Sequence, residues 1–171
     1  MRNRSVSVVI KLFLPVSLAL LAACAPAPIY KNTTNMVTAT PGQVAQTPER
    51  YGNSNVVWGG RIVKVSNFSD HSEVELLAYP LDSSQRPKAN DSGSGRFIAV
   101  MRGYVEPIDY PPGALMTVSG KLNGSRAGQV GEANYVFPLI SVAQSHVWTA
   151  GEMGQGRNNF HFGLGLGVGI H

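Results

Sequence analysis

Residues 72–79 read SEVELLAY, and this stretch decides the fold class. Val74, Leu76 and Ala78 fall on one face of an extended chain, and the residues between them fall on the other. Such a period of two is typical of a β-strand with one buried face. Pro80 then ends the run, because proline cannot donate to a strand ladder.

Four further runs of β-branched and aromatic residues are predicted as strands, at 56–65, 96–105, 115–122 and 135–143. We expect a polar loop at 81–94, a break near Gly103 and a separating Gly-rich stretch at 124–132. The pair Gly59-Gly60 in the first strand indicates a bulge or a close approach. Five strands in about 95 residues are too few for a sandwich of roughly seven. The sequence therefore predicts an all-β fold, a small OB-like barrel of five to six strands.

The first 23 residues are predicted to be a signal peptide. Three basic residues lead into an apolar run at 12–23, LFLPVSLALLAA. As a helix this run would reach only about 18 Å, against roughly 30 Å of hydrocarbon in a bilayer. Basic start, short apolar run and small residues at the end are typical of a secretory signal rather than a membrane span.

The end of the leader, Leu21-Ala22-Ala23-Cys24, resembles the lipobox of bacterial lipoproteins. The resemblance implies cleavage between Ala23 and Cys24, with diacylglycerol on the thiol and an N-acyl lipid on the new terminus. Two or more acyl chains give stable anchoring. No Asp follows Cys24, which by resemblance to lipoprotein sorting implies the outer membrane. The alternative is an ordinary signal peptide whose single cysteine is incidental.

The mature chain divides into three predicted parts. Residues 24–55 are interpreted as the lipidated Cys and an extended tether rich in Pro, Thr and Asn. Within it a short helix at 41–50 is an alternative, since Thr40 can cap it and Pro41 suits the first helical position. Residues 56–150 form the barrel domain, and residues 151–171 form a Gly-rich tail.

The tail alternates strictly from Phe160 onward. Even positions are apolar, and odd positions are Gly or His. We expect either an extra strand on its own barrel or, through its apolar face, self-association, an envelope protein partner or contact with the outer membrane.

Charge excludes one class of partner. The formal net charge is +4, but three of the 14 basic residues lie in the leader and all 10 acidic residues lie outside it, which leaves +1. Nucleic-acid binding needs clustered Lys and Arg, so we expect no nucleic-acid partner.

Catalytic and metal-binding patterns are scarce. Asp70, His71 and Glu73 offer metal-ligating groups, but their place in a polar turn favours a solvated turn. His146 is more consistent with a structural hydrogen bond than with catalysis.

Glu106 and Asp109 flank a proline-rich loop, where solvation and turn formation are the favoured roles. No metalloprotease, hydrolase or phosphate-loop motif is present. We therefore predict no catalytic residues, no metal and no enzyme activity.

Four aromatic residues are the candidate ligand or partner face: Trp58, Phe97, Tyr104 and Tyr135. On OB-like barrels, exposed rings can stack on bases or sugars. The alternative is that these rings fill the barrel.

The order of sequence landmarks resembles the Slp-type outer-membrane lipoproteins, a family associated with starvation and stationary phase. The landmarks are VWGGRI (57–62), ELLAYPLD (75–82), GRF (95–97), PG (112–113), TVSG (117–120), GQVGE (128–132) with Tyr135 and Pro138, and HVW (146–148). The resemblance runs from Cys24 to about residue 150 and leaves the tail unmatched.

Two functions follow as expectations. The first is a non-enzymatic outer-membrane lipoprotein, facing the periplasm, with a structural or protein-interaction role linked to starvation or stationary-phase stress. The alternative is a periplasmic binding module for a small ligand or glycan on an aromatic face of the barrel.

Overall fold

A closed five-stranded barrel is the centre of the molecule. The computed structural model describes residues 27–31 and 35–154. The strand order is β1-β2-β3-β5-β4, closed by the pairing of β1 with β4. Only the β3–β5 pair is parallel. The strands are β1 (Asn55–Asn67), β2 (His71–Tyr79), β3 (Arg96–Arg102), β4 (Leu115–Val130) and β5 (Ala133–Trp148). The predicted all-β, OB-like barrel is confirmed.

The barrel interior is filled from alternate positions of every strand. On β2 the alternation read from the sequence is confirmed, because Val74, Leu76 and Ala78 are buried. The full core adds side chains from the other strands and one from a helix: Val44, Val56, Trp58, Ile62, Phe97, Ala99, Met116, Val118, Leu122 and Ile140. Each fully buried aliphatic side chain contributes roughly 1.5–3 kcal/mol.

Two glycines permit the tight curvature that this small barrel needs. A Cβ at Gly60 would overlap the carbonyl oxygen of Leu77 on β2, and a Cβ at Gly120 would overlap that of Ser141 on β5. The close approach predicted from the glycine pair is confirmed at Gly60.

The stretch 124–132 is not a separating loop, and that prediction is wrong. β4 continues to Val130 and β5 begins at Ala133, so both strands extend beyond the barrel as a long hairpin. Most of this ribbon is exposed, so no buried face imposed the alternation by which strands are recognised.

The extended tether predicted over 24–55 is wrong for residues 35–54. Helix α1 (Pro41–Gln46) and a 3₁₀ turn (Pro48–Tyr51) occupy this segment. The alternative of a short helix is confirmed, with Thr40 as its cap and Pro41 in its first turn.

This segment packs on the barrel instead of extending away from it. Val44 enters the core. The indole Nε1 of Trp58 donates to the carbonyl of Ala39 at 2.8 Å, and the Gly42 amide donates to the Ser94 carbonyl at 2.9 Å.

The remaining strand boundaries differ from the predicted ones by a few residues. β3 ends at Arg102, immediately before Gly103, whose φ of 68° ends the strand where the break was predicted. Helix α2 (Ala150–Gly154) occupies the start of the predicted tail. The division into parts at 23, 55 and 150 stays a prediction.

None of the helices among the described residues is long and apolar enough to cross a membrane.

Candidate functional site

The four predicted aromatic residues do not share one exposed face, which corrects that expectation. Trp58 and Phe97 are buried in the barrel, with ring centroids 5.2 Å apart in an edge-to-face arrangement. Tyr104 is 64% exposed in the loop after β3. Tyr135 lies against Phe137 on β5, with ring centroids 4.8 Å apart. The barrel-filling alternative is confirmed for Trp58 and Phe97.

The structure instead shows a charged cleft on the outer surface of the barrel. Because even-numbered residues of β2 point inward, the odd-numbered residues Glu73 and Glu75 point outward. The β4–β5 hairpin reaches across these residues and forms the other wall. The cleft has a volume of about 290 Å³ and is lined mainly by Lys64, Glu73, Glu75, Ile98, Arg126 and Phe137.

Glu75 lies deepest among the charged groups and is held by two cations. The residue is only 8% exposed. Arg96 Nη1 donates to its carboxylate at 2.6 Å, and Lys64 Nζ lies 3.5 Å from its other oxygen. A carboxylate at such a depth needs these partners, because an unpaired buried charge is costly.

Glu73 joins the hairpin to the barrel. Arg126 donates to both of its carboxylate oxygens, at 2.9 and 2.7 Å. This two-pronged contact lowers the pKa of the Glu73 carboxyl below its ordinary value of 4.5. Planar bidentate pairs of this kind are among the stronger charge-assisted hydrogen bonds.

His71 continues the charged row at the start of β2. Its Nδ1 lies 2.8 Å from Asp70, its Nε2 lies 3.4 Å from Glu73, and the ring stacks on Phe68. The hydrogen bond to Asp70, followed by the weaker one to Glu73, raises the pKa of the imidazole. Both ring nitrogens face carboxylates, which favours the doubly protonated imidazolium.

The floor of the cleft is apolar. Ile98 on β3 and Phe137 on β5 are each 5% exposed and both line the cleft. They lie outside the barrel core. Apolar surface is thus placed beside ionic groups of both signs.

A second polar arrangement, here called the anchor dock, binds the segment nearest to Cys24. Tyr30 is 7% exposed. Its amide donates to the side-chain oxygen of Gln85 at 2.8 Å, and the Gln85 side-chain nitrogen donates to the Tyr30 carbonyl at 2.9 Å. The Tyr30 hydroxyl also donates to the carbonyl of Thr117, at 3.4 Å.

Buried hydrogen bonds fix the base of the anchor dock. The Thr117 hydroxyl donates to the Gln85 carbonyl at 2.7 Å and accepts from the indole of Trp148 at 2.9 Å. Gln85 has φ of 65°, a conformation uncommon for a residue with a Cβ. Burial, rather than a charged partner, is the main cause that raises the pKa of Tyr30 to about 12.

Helix α2 is tied to the same side of the barrel. Arg86, next to Gln85 in the chain, pairs with Asp82 and donates to the Glu152 carbonyl at 2.9 Å. His146 Nε2 lies 2.9 Å from the Glu152 carboxylate. The structural hydrogen bond predicted for His146 is therefore confirmed.

The solvated turn favoured for Asp70, His71 and Glu73 is wrong for two of them, because His71 and Glu73 lie in β2 and the Glu73 side chain is only 11% exposed. Glu106 and Asp109 are exposed in the loop between β3 and β4. Across residues 27–31 and 35–154, no group of three or more His, Cys, Asp or Glu side chains could hold a metal ion. Ala23, Cys24 and the alternating tail from Phe160 lie outside the described residues.

The fold and the sequence comparisons define the family. The chain is a small OB-like barrel protein, and its residues 21–162 match the sequence model of the Outer membrane lipoprotein Slp family. The chain belongs to this family and is an envelope lipoprotein.

Three relatives illustrate the match. An uncharacterised lipoprotein of Escherichia coli, YeaY, is 31% identical over 106 residues, which cover 62% of this chain and 54% of the relative. An uncharacterised protein of Haemophilus influenzae is 32% identical over 92 residues, or 53% of this chain and 50% of the relative. Outer membrane protein Slp of Escherichia coli is 27% identical over 131 residues, or 75% of this chain and 69% of the relative. The chain spans about half the length of the first two relatives.

Sequence reasoning missed both the cleft and the anchor dock. The alternation of Glu73 and Glu75 was visible as the outer face of β2, and it was the one available signal for the cleft. Tyr30, Gln85 and Thr117 are too far apart in the chain for any local pattern to join them.

Proposed function

We propose that this protein is a non-enzymatic lipoprotein that recruits a protein partner to the periplasmic face of the outer membrane. Diacylglycerol and an N-acyl chain on Cys24, after cleavage behind Ala23, supply the anchor. The lipobox and membership of the family support this assignment. A role in starvation or stationary-phase stress is part of the same proposal and rests on the family resemblance.

The partner site is the charged cleft. The observation that carries the proposal is the placement of Glu75 and Glu73, both paired with cations, above the apolar floor of Ile98 and Phe137. An apolar replacement of a buried ion pair is often equally stable. The stability of the fold therefore does not by itself require these ion pairs, and their place beside an apolar floor supports a role in recognition.

The chemistry of the cleft favours a protein segment over a sugar. Sugar and base recognition on OB-like barrels uses exposed aromatic rings, whereas Trp58 and Phe97 are buried. A cleft of about 290 Å³ is at the lower limit of small-molecule pockets. A peptide can bury one apolar side chain on the floor and offer a carboxylate to Arg126, whose side chain is 47% exposed.

Photocrosslinking in cells tests the proposal. A benzophenone amino acid replaces Gln129, which lines the cleft, and in a second strain it replaces Gln46, which is exposed on α1. We expect a discrete protein adduct from position 129 and none from position 46. The adduct should weaken with Arg126→Gln and persist with Arg102→Gln, which alters an exposed arginine outside the cleft.

Two outcomes contradict the proposal. Equal adducts from both positions, or none from position 129, remove the cleft as the partner site. An adduct whose added mass is removed by a muramidase assigns the cleft to a glycan, which was the alternative function.

A further inference from the structure

The anchor dock shortens the link between lipid and barrel. If residues 24–55 were a flexible tether, the root-mean-square distance between Cys24 and the start of the barrel would be roughly 30 Å. Tyr30, however, is buried and makes two hydrogen bonds with the Gln85 side chain. The chain is therefore held to the barrel only six residues after Cys24.

Covalent geometry limits the reach of those six residues. At about 3.3–3.6 Å per residue, a fully extended chain from Cys24 to Tyr30 spans about 20–22 Å at most. This is less than the length of the β4 strand, whose 16 residues extend over roughly 50 Å. The lipid is thus confined to the vicinity of one side of the barrel.

That side is distinct from the side that carries the cleft. The anchor dock involves the loop at 81–91 and the barrel strands at Gly59 and Thr117, which are paired neighbours on β1 and β4. The cleft lies beneath the hairpin, over the second half of β1 and over parts of β2 and β3. Lys31 and Lys88 are exposed on the docked segment and on the loop.

We infer that residues 27–31 and the loop at 81–91 form a membrane-contacting surface that rests on the lipid headgroups of the anchoring leaflet. The inference rests on the lipidation of Cys24 proposed above. The docked Tyr30 sets the orientation, so that the loop lies nearest the bilayer and the cleft remains accessible from the periplasm. The partner of this surface is the phospholipid headgroup layer.

Energy transfer in vesicles tests this orientation. Lipidated full-length protein is placed in phosphatidylethanolamine–phosphatidylglycerol vesicles that carry a headgroup acceptor. Because Cys24 is the single cysteine and its thiol carries lipid, Asn90→Cys on the loop and Gln129→Cys at the cleft each give one labelling position. We expect transfer from position 90 to exceed transfer from position 129 by about twofold or more, given the short link.

Releasing the Tyr30 segment from the anchor dock should remove the difference in energy transfer between positions 90 and 129. Gln85→Ala breaks both hydrogen bonds to Tyr30, and Tyr30→Ala removes the docked ring without changing the barrel strands. The two hydrogen bonds involve main-chain atoms of Tyr30, so each single change leaves part of the contact in place. Transfer from the two positions should become similar when both changes are combined. The matched control, Gln144→Ala, alters an exposed glutamine on β5 and should keep the difference.

The outcomes separate this inference from the proposed function. Equal transfer from both positions in the unaltered protein, or a difference that survives when both changes are combined, overturns the orientation. Mass spectrometry of Cys24 is read first, because an unmodified thiol contradicts the lipidation itself rather than the orientation.

Discussion

The anchor dock and the cleft are both polar, but they are built from different chemistry. The anchor dock joins Tyr30, Gln85 and Thr117 through neutral hydrogen bonds beneath a folded-back loop. The cleft joins Glu73 and Arg126 through charges at its rim, with the arginine half exposed. Buried neutral hydrogen bonds are costly to break without replacement, whereas water can take over part of the contact of an arginine whose side chain is 47% exposed. This difference indicates that the anchor dock holds the segment around Tyr30 in place, whereas the cleft is able to exchange contacts with a partner.

The largest expected effect is at the anchor dock, with Thr117→Val. This change keeps the shape but leaves the buried Trp148 N–H without its acceptor and the Gln85 carbonyl without its donor. An unsatisfied buried group costs about 1–3 kcal/mol, so we expect the free energy of unfolding to fall by about 2–3 kcal/mol. Urea denaturation measures the loss. Thr117→Ser keeps the hydroxyl and should lose less than half as much; equal losses would mean that packing, not hydrogen bonding, dominates there.

A smaller effect is expected at the cleft, with Glu73→Gln. The bidentate pair with Arg126 is lost, but the arginine is partly solvated and water replaces much of the contact. We expect a loss of roughly 1 kcal/mol in the free energy of unfolding. Glu132→Gln, at the exposed hairpin turn, is the matched control and should change stability little. A loss as large as that of Thr117→Val would refute the contrast between the two regions.

The smallest effect is the part of the pH dependence of stability that the cleft contributes. Because Arg126 lowers the pKa of Glu73, the pair stabilises the fold above pH 4.5 and the stability is lost as pH falls through the lowered pKa. The hydrogen bond to Asp70 raises the pKa of His71. The contribution of the protonated imidazole to stability is therefore present below pH 6.5 and is lost as pH rises through the raised pKa.

The Tyr30 hydroxyl of the anchor dock should not titrate over the same range. Burial raises the pKa of Tyr30 to about 12 from 10.0, so its contribution is complete below pH 10 and declines only above it. Urea unfolding of the unaltered protein and of Glu73→Gln at pH 3.5, 5.5 and 7 measures the difference. We expect a loss of less than about 1 kcal/mol on acidification that is reduced in the variant; an identical loss in both would place the titrating group elsewhere.

The parts of the fold that sequence predicted are those with one buried face. On β2, burial of Val74, Leu76 and Ala78 imposes the alternation that identifies the strand. The cap of α1 was also visible, because the Thr40 and Pro41 signals act within one turn. The hairpin beyond residue 122 was missed, since its exposed faces place little constraint on composition.

The candidate sites were harder to predict for a different reason. Arg126 lies 53 residues from Glu73, and Tyr30 lies 55 residues from Gln85. Contacts at this separation are set by barrel closure and by the path of the loop at 81–94, which no local pattern encodes. Aromatic residues were conspicuous in the sequence, but Trp58 and Phe97 point inward because their strand positions share the parity of the core.

The attachment of α2 beside the anchor dock has a practical consequence for reporter fusions. A tag joined after Gly154 starts on the side of the barrel to which Arg86 ties the helix, and a bulky fluorescent domain there would compete with the bilayer for space. The turn at Gly131 and Glu132 is exposed at the tip of the hairpin and offers a different insertion point for an epitope. Antibody access to such an insertion in intact cells, compared with permeabilised cells, would report which compartment the protein faces.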